Sequence, residues 1–370
     1  MVIIPYLRNL SMQKIIGLLD LDYFYAQCEI LRKPEIRGKP VIIVMPSLRE
    51  NSGAIATCNY EARALKIRSG MSLSLAKKLA SPESVFINAD KPYYEELSQK
   101  VFEIVDFFCE KVEQVSIDEA YFELTNASDF EKAEENAQKI KQRIKSELNL
   151  TCSVGVGPNK LIAKMAASAK KPDGFYSVRP EQVDSFISKQ KISALFGVGP
   201  KTEEIFKKHG IQIVSDARRF QKSEFIEWFG EGNGTKFYEF VFGNDSREIE
   251  ANREKQQLSR MITMKQDSRD FEFIKQNIDF LSEMLYKKLV ELKKKFKTVS
   301  LIIVTERMDT VTKSRTKELP IASLEELKEM EYTLLKDYLN EAFSNVRRVG
   351  VRVSNFDENT GFQRKLLEFK

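Results

Sequence analysis

Residues 14–32 read KIIGLLDLDYFYAQCEILR, and the fold turns on how that stretch divides. The first eight residues are mostly apolar up to Asp20, the mark of a short buried strand. The next eleven, DYFYAQCEILR, place apolar groups at helical spacing, so a strand runs straight into a helix. Asp20 and Asp22 stand at the junction. If strand geometry continues, they share a face; if the helix begins at Asp22, they diverge. Alone, a D-x-D at a strand end reads equally as a helix cap or a surface turn.

Nearly a hundred residues later, residues 112–124 read VEQVSIDEAYFEL. Two short alternating runs flank Ser116–Glu119, which predicts an antiparallel hairpin with acids at its bend. By itself this too reads as a solvated turn. Between the two loci lie a strand at 41–45 (VIIVM), a Gly/Ser stretch around Ser52 and Gly53, and helices at 59–66, at MSLSLAKKLA and at 92–108. After the hairpin come a charged amphipathic helix at 130–148, a strand at 151–157 and a helix in PNKLIAKMAASAK. Lys171-Pro172-Asp173-Gly174 stops that helix. Residues 180–243 read as mostly short helices around FGVGPKT. Residues 243–257 are polar without apolar period, a candidate linker. Residues 258–354 give strand, long helix, strand, strand, helix, strand, one compact α+β unit.

Composition narrows the chemistry. The chain has 42% hydrophobic and 31% charged residues, a soluble globular profile, and no apolar run reaches the roughly 18 residues of a membrane span. Residues 1–11, MVIIPYLRNLS, carry one basic residue and no small-residue cleavage site, so they do not read as a secretory signal. The four cysteines are far apart and histidine occurs once, which leaves little for a zinc site and predicts reduced thiols in the cytoplasm. Any metal must then sit on oxygen ligands, as magnesium or manganese do. The net charge is +5, and residues 251–370 hold 24 Lys+Arg against 19 Asp+Glu, so the whole excess sits in the last third. A basic appendage on a neutral body suits a polyanion at one end.

The acidic loci gain meaning together. Phosphoryl transfer on a nucleotide uses two cations about 3.5–4 Å apart, one activating the attacking hydroxyl and one holding the leaving diphosphate. Carboxylates on neighbouring antiparallel strands supply hard ligands on a rigid base.

LDLDYFYAQ, ATCNYEAR, SIDEAY and VGPNKLIAKMAASAKKPDG, in that order, resemble the Y-family DNA polymerases of the DinB type, the archaeal-like translesion kind. The likeness runs from about Met12 to Phe356. It implies an α+β multidomain right hand: a ferredoxin-like palm (12–23 and 90–178), fingers (24–89), a helical thumb with a helix-hairpin-helix (179–243), a linker (244–256) and a βαββαβ little finger (257–356). Residues 1–11 would be an extension ahead of the palm. The implied activity is low-fidelity, template-directed transfer of a dNTP to a primer 3′ hydroxyl.

Carried over position by position, Asp20, Asp118 and Glu119 become catalytic metal ligands, with the Leu21 carbonyl beside them, for two magnesium ions that manganese can replace. Asp22 is left out of that set. Tyr25 falls on the steric gate against a ribose 2′-hydroxyl. Tyr23, Phe24, Thr57, Tyr60, Arg63 and Lys171 join Tyr25 around the dNTP, and Ala54 and Ala56 leave space over the nascent base pair. Gly197, Gly199 and Lys201 match the DNA-phosphate hairpin. Arg260, Arg347 and Arg348 belong to a basic strand set that also holds Lys265, Arg269, Lys313, Arg315 and Arg352. The tail from Asp357 to Lys370 resembles a sliding-clamp peptide through Gln363, Leu366 and Phe369, with Lys370 where a second aromatic is usual. A monomer working on primer-template DNA and a clamp is expected, with no membrane partner. The rival readings are another palm-type nucleotidyltransferase or cyclase, and a non-catalytic DNA-binding homologue.

Overall fold

β1 (Ile16–Leu21) is buried almost throughout, and its register explains where the site forms. The structure, a computed structural model, describes residues 14–45, 47–49, 52–125, 127, 129–251, 256–321 and 323–357. The expected extension at 1–11 and the tail positions Gln363, Leu366 and Phe369 lie outside these residues. The chain divides into two compact units: Met1–Ile43, Ala56–Ser69 and Leu79–Arg253 in the first; Val44–Ile55, Gly70–Lys78 and Glu254–Lys370 in the second.

After β1 come α1 (Phe24–Arg32), β2 (Val41–Val44), β3 (Ile55–Cys58), α2 (Tyr60–Ala64), α3 (Leu73–Leu79), β4 (Val85–Asn88) and α4 (Lys91–Phe108). Then follow β5 (Val112–Gln114), β6 (Glu119–Glu123), α5 (Phe130–Leu148), β7 (Cys152–Gly157), α6 (Lys160–Ala169) and β8 (Phe175–Ser177). The main sheet has the order β5-β6-β1-β7-β8, and β7-β8 is its parallel pair. A smaller sheet runs β3-β2-β4.

Strand alternation sorts β1 between two cores. Leu19 and Leu21 face a cluster with Tyr94, Val101 and Val105 of α4 and Ile140 and Ile144 of α5. Ile16 and Leu18 face Ala163 and Ala167 of α6. α6 lies directly on β7: a Cβ at Gly155 would stand 2.1 Å from the Ala163 carbonyl oxygen, so only glycine lets the helix come that close. Asp20 continues the Ile16–Leu18 face past the point where α6 covers it.

The rest of the first unit is helical: α7 (Val183–Ile187), α8 (Pro200–Lys208), α9 (Val214–Ala217) and α10 (Lys222–Val241). The expectation of mostly short helices agrees with this: α10 is itself two shorter helices meeting at a kink at non-helical Gly230 (φ 77°). Phe206, Phe225, Phe237 and Phe240 fill the core. His209 stacks on Trp228 with centroids 3.8 Å apart.

The polar stretch expected to be a linker is docked along its first half. Asp245 accepts a hydrogen bond from the Leu161 amide at 2.9 Å, and Ile249 packs on the Ile16–Leu18 cluster. Lys160 and Glu113, each under 5% exposed, form a buried pair 2.5 Å apart. The Glu248 carbonyl and the Glu250 amide complete that pair's hydrogen bonds at 3.1 and 2.8 Å. Hydropathy missed this because backbone groups and the Asp245 carboxylate make most of the contact, with Ile249 the one apolar side chain in it.

The second unit is built on β9 (Gln257–Ser268), α11 (Phe271–Glu291), β10 (Phe296–Thr305), β11 (Thr310–Ile321), α12 (Leu324–Glu341) and β12 (Val346–Phe356), in the order of elements the sequence predicts. Its antiparallel sheet has the order β11-β10-β12-β9. α11 and α12 pack on the face that carries Val349, Val351 and Val353. Arg49, also in this unit, reaches β9: its guanidinium lies 2.5 Å from Asp267.

Candidate active site

Asp20 stands directly opposite Glu119 in the β1–β6 ladder. The Leu21 amide donates to the Asp118 carbonyl at 2.8 Å, which pins the bend to the end of β1. The bend is further held by the Ser98 hydroxyl on the Ile117 carbonyl (2.6 Å) and by the Ser116 hydroxyl on the Asp118 carboxylate (2.5 Å). The distant acids therefore meet, with one adjustment: Glu119 opens the strand and only Asp118 lies on the bend.

A cavity of about 340 Å³ opens over them. Asp20, Leu21 and Asp118 line its acidic end, and Tyr23, Phe24, Tyr25, Thr57, Tyr60, Arg63 and Lys171 line the rest. Ala56 lines it too, whereas Ala54 pairs with Ser72 in an isolated bridge. Glu119 turns away from the cavity to Lys164 of α6, which donates to both its oxygens at 2.6 and 2.7 Å. Lys171 lies 2.5 Å from Asp20.

Burial pushes the Asp20 carboxyl above its ordinary range; Lys171 pulls it back, and Glu119 and Asp118 push it up again. Among the described residues no three His, Cys, Asp or Glu side chains converge at metal-ligand spacing. Asp20 pairs with Lys171 and Glu119 with Lys164 instead. The donor set nevertheless fits hard divalent cations. It is all oxygen, and Asp20 feels the charge of both Asp118 and Glu119.

The aromatic wall is rigid. The Tyr25 ring stacks on Tyr94 with centroids 4.5 Å apart and 21° between planes. Tyr94 is fully buried, and its hydroxyl donates to Glu29 at 2.9 Å. Tyr23 begins α1 in the left-handed region (φ 37°) and meets Tyr60 edge-on at 5.4 Å. Arg63 lies 4.7 Å over the Tyr60 ring, with its Nε on the Cys58 carbonyl at 3.2 Å. Buried Asn59 caps α2 by accepting from the Ala62 amide at 3.1 Å, and so aims both residues. Lys164, Ser116, Asn59 and Tyr94 were not singled out from the sequence. A helical lysine or a buried tyrosine looks the same there whether or not it serves a site.

The remaining basic and glycine positions fall in other places. Gly197 adopts φ +89°, which favours glycine, and Gly199 caps α8 ahead of exposed Lys201. Of the eight basic residues expected on or beside the second unit's strands, Arg348 and Arg352 share a face and others point elsewhere. Arg348 and Arg352 alternate with the buried valines of β12, so they occupy the face away from the helices, opposite Val304 and Ser300. Ser314 and Thr312 of β11 extend that face. Arg260 pairs with Val351 and sits on the helix side at the β9 edge. Lys313 and Arg315 are tied to Glu341 and Asp337 of α12. Arg269 donates to the Leu339 carbonyl at 2.7 Å, and Arg347 lies 3.5 Å from Asp267.

Residues 19–168 match the impB/mucB/samB family, and residues 255–366 match the impB/mucB/samB family C-terminal domain. The DNA polymerase IV of Methanosarcina acetivorans is 39% identical over 367 residues, covering 97% of this chain and 100% of that protein. The chain belongs to the Y-family of DNA polymerases. A second family member, the DNA polymerase IV of Nitrosopumilus maritimus, is 37% identical across 96% of this chain and 99% of its own. Among solved structures, a Y-family chimera of Dbh and Dpo4 segments superposes with TM-score 0.87 at 30% identity, covering 92% of this chain and 98% of that one. The insertion ternary complex of Dbh DNA polymerase gives 0.68 at 31% identity, with the same coverage. No helix among the described residues is long and apolar enough to cross a membrane.

Proposed function

We propose that this cleft is the site at which a Y-family, DNA-directed DNA polymerase performs translesion synthesis, joining a dNTP to a primer 3′ hydroxyl. The observation that carries the reading is Asp20 facing Glu119 across one ladder, with Asp118 pinned beside Leu21, and Asp20 and Asp118 lining a cavity walled by Tyr60, Arg63 and Lys171. Asp20, Asp118, Glu119 and the Leu21 carbonyl would hold two magnesium ions. Such ions, when bound, activate the hydroxyl and neutralise the leaving diphosphate. Arg63 grips triphosphate oxygens as a fork and Lys171 as a point charge. The backbone amides of Tyr23, Phe24 and Tyr25 add anion donors at a helix start, and Thr57 borders the same space. The stacked Tyr25 ring excludes a 2′-hydroxyl by contact, and Ala56 leaves space for distorted base pairs.

The same reading takes residues 12–23 and 90–178 as palm, 24–89 as fingers, 179–243 as thumb and 257–356 as little finger. Gly197, Gly199 and Lys201 would approach the duplex backbone, with Arg260, Arg347 and Arg348 contributing from the basic third. Gln363, Leu366 and Phe369 would dock a sliding clamp. Primer extension past an abasic site with magnesium tests the core of this. Asp118→Ala and Glu119→Ala should each lose several kcal/mol of transition-state stabilisation, about a thousandfold in rate. Extension at wild-type rate by either variant would overturn the assignment.

A further inference from the structure

Asp22 is 1% exposed, yet among the described residues it forms no ion pair of the kind that normally justifies a buried carboxylate. Its two oxygens are both used by neutral donors. The Ser153 hydroxyl of β7 donates to one at 2.8 Å, and the Asp173 backbone amide donates to the other at 2.8 Å. The backbone of Asp22 is equally fixed: its amide donates to the Thr151 carbonyl at 3.1 Å, and Gln27 bridges the Asp22 and Thr151 carbonyls. Asp22 thus ties the β1–α1 turn to the segment 171–174.

That segment carries Lys171 into the cleft, 2.5 Å from Asp20. On its far side the Asp173 carboxylate is held by Lys141 and by Lys145, the latter at 2.6 Å, both from α5. Asp173 itself adopts φ 50°, a left-handed conformation that a non-glycine residue keeps only when its surroundings demand it. The Gly174 carbonyl then accepts from the Val154 amide at 3.0 Å and returns the chain to the sheet. Without the Asp22 oxygen, the Asp173 amide would lose its partner in a part-buried turn, and the link from that turn to the end of β1 would be gone.

We propose that Asp22 is a positioning residue: its buried carboxylate hangs the 171–174 turn and thereby sets the ammonium of Lys171 in the nucleotide cleft. This rests on the reading of Lys171 as a triphosphate contact. It assigns Asp22 a role through hydrogen bonds rather than through charge on a metal, and the two differ in what asparagine does. In Asp22→Asn the side-chain oxygen still accepts from the Asp173 amide, and the new amide group donates to Ser153, whose hydroxyl rotates to receive it.

The test combines steady-state dNTP incorporation with hydrogen exchange of the peptide spanning 170–175, on full-length Asp22→Ala, Asp22→Asn, Lys171→Ala and the Asp22→Ala/Lys171→Ala double variant. Asp22→Ala should lower kcat/KM for dNTP about ten- to a hundredfold, the usual scale for losing a residue that orients another. Exchange at 171–174 should rise with it. Asp22→Asn should restore most of both, and the double variant should be no worse than Lys171→Ala alone. Fully multiplicative losses in the double variant, or an Asp22→Asn defect as deep as Asp22→Ala with the turn still protected, would overturn the proposal. If Lys171→Ala itself incorporates normally, the triphosphate assignment of Lys171 falls, while the exchange data still judge the tether alone. Should Asp22→Ala not fold, Ser153→Ala removes one of the two donors and must loosen the same amides, or the tether is refuted.

Discussion

Glu331 of α12 is fully buried in the core of the second unit and offers a stability experiment with a defined sign. Burial pushes its carboxyl up to about 8; the Ser282 hydroxyl and Lys328 oppose the shift, and Asp279 adds to it. One Glu331 oxygen lies 2.6 Å from the Ser282 hydroxyl, which also donates to the Ile278 carbonyl, while the other oxygen has no partner among the described residues. A hydroxyl has one proton to give, so this geometry suits a protonated Glu331 that donates to Ser282. The unfolded chain releases that proton near the ordinary glutamate value and the folded chain keeps it to about 8. Stability is therefore complete below the unfolded value and falls across the window up to about 8. At pH 7 the loss is about 3 kcal/mol.

Glu331→Gln cannot ionise and keeps a donor for Ser282. It should match wild type near pH 4.5 and exceed it by about 3 kcal/mol at pH 7, a hundredfold or so in opening equilibrium. Hydrogen exchange of the slowest amides in α11 and α12, compared between the two proteins at each pH, reads this directly because intrinsic rates cancel. The sole tryptophan, Trp228, lies in the other unit and would not report it. Parallel pH dependence in the two proteins would refute the reasoning.

Two further outcomes follow from named geometry. Tyr25→Ala removes the ring that Tyr94 backs, so acceptance of ribonucleotides relative to deoxynucleotides should rise about a hundredfold, read by paired incorporation assays; unchanged selectivity would sink the gate. Arg348→Ala and Arg352→Ala should each weaken DNA binding evenly across sequences and reduce the salt slope of affinity by about one, measured by titration at several salt concentrations. An unchanged slope would remove the sheet face away from α11 and α12 from the DNA interface.

Much of this protein was legible in the order of its residues. The apolar run before Asp20, the helical spacing after it and the alternation around Ser116–Glu119 each follow from local periodicity. The same holds for the strand–helix order of 258–354. The candidate site was legible because its residue types cluster in short motifs whose chemistry is specific. What the sequence left open was direction. Whether Asp20 and Asp22 share a face depends on where β1 ends, and the structure sends one to the cleft and the other into a buried hydrogen-bond network. Which arginines share a sheet face depends on strand register, a bulge before Arg348 and the acids of α12, none of which has a local signature. Lys164 on Glu119, Tyr94 behind Tyr25 and the docking of residues 245–250 on a buried ion pair are contacts between segments far apart in the chain. Periodicity reports which side of an element is apolar, and only packing decides what meets that side.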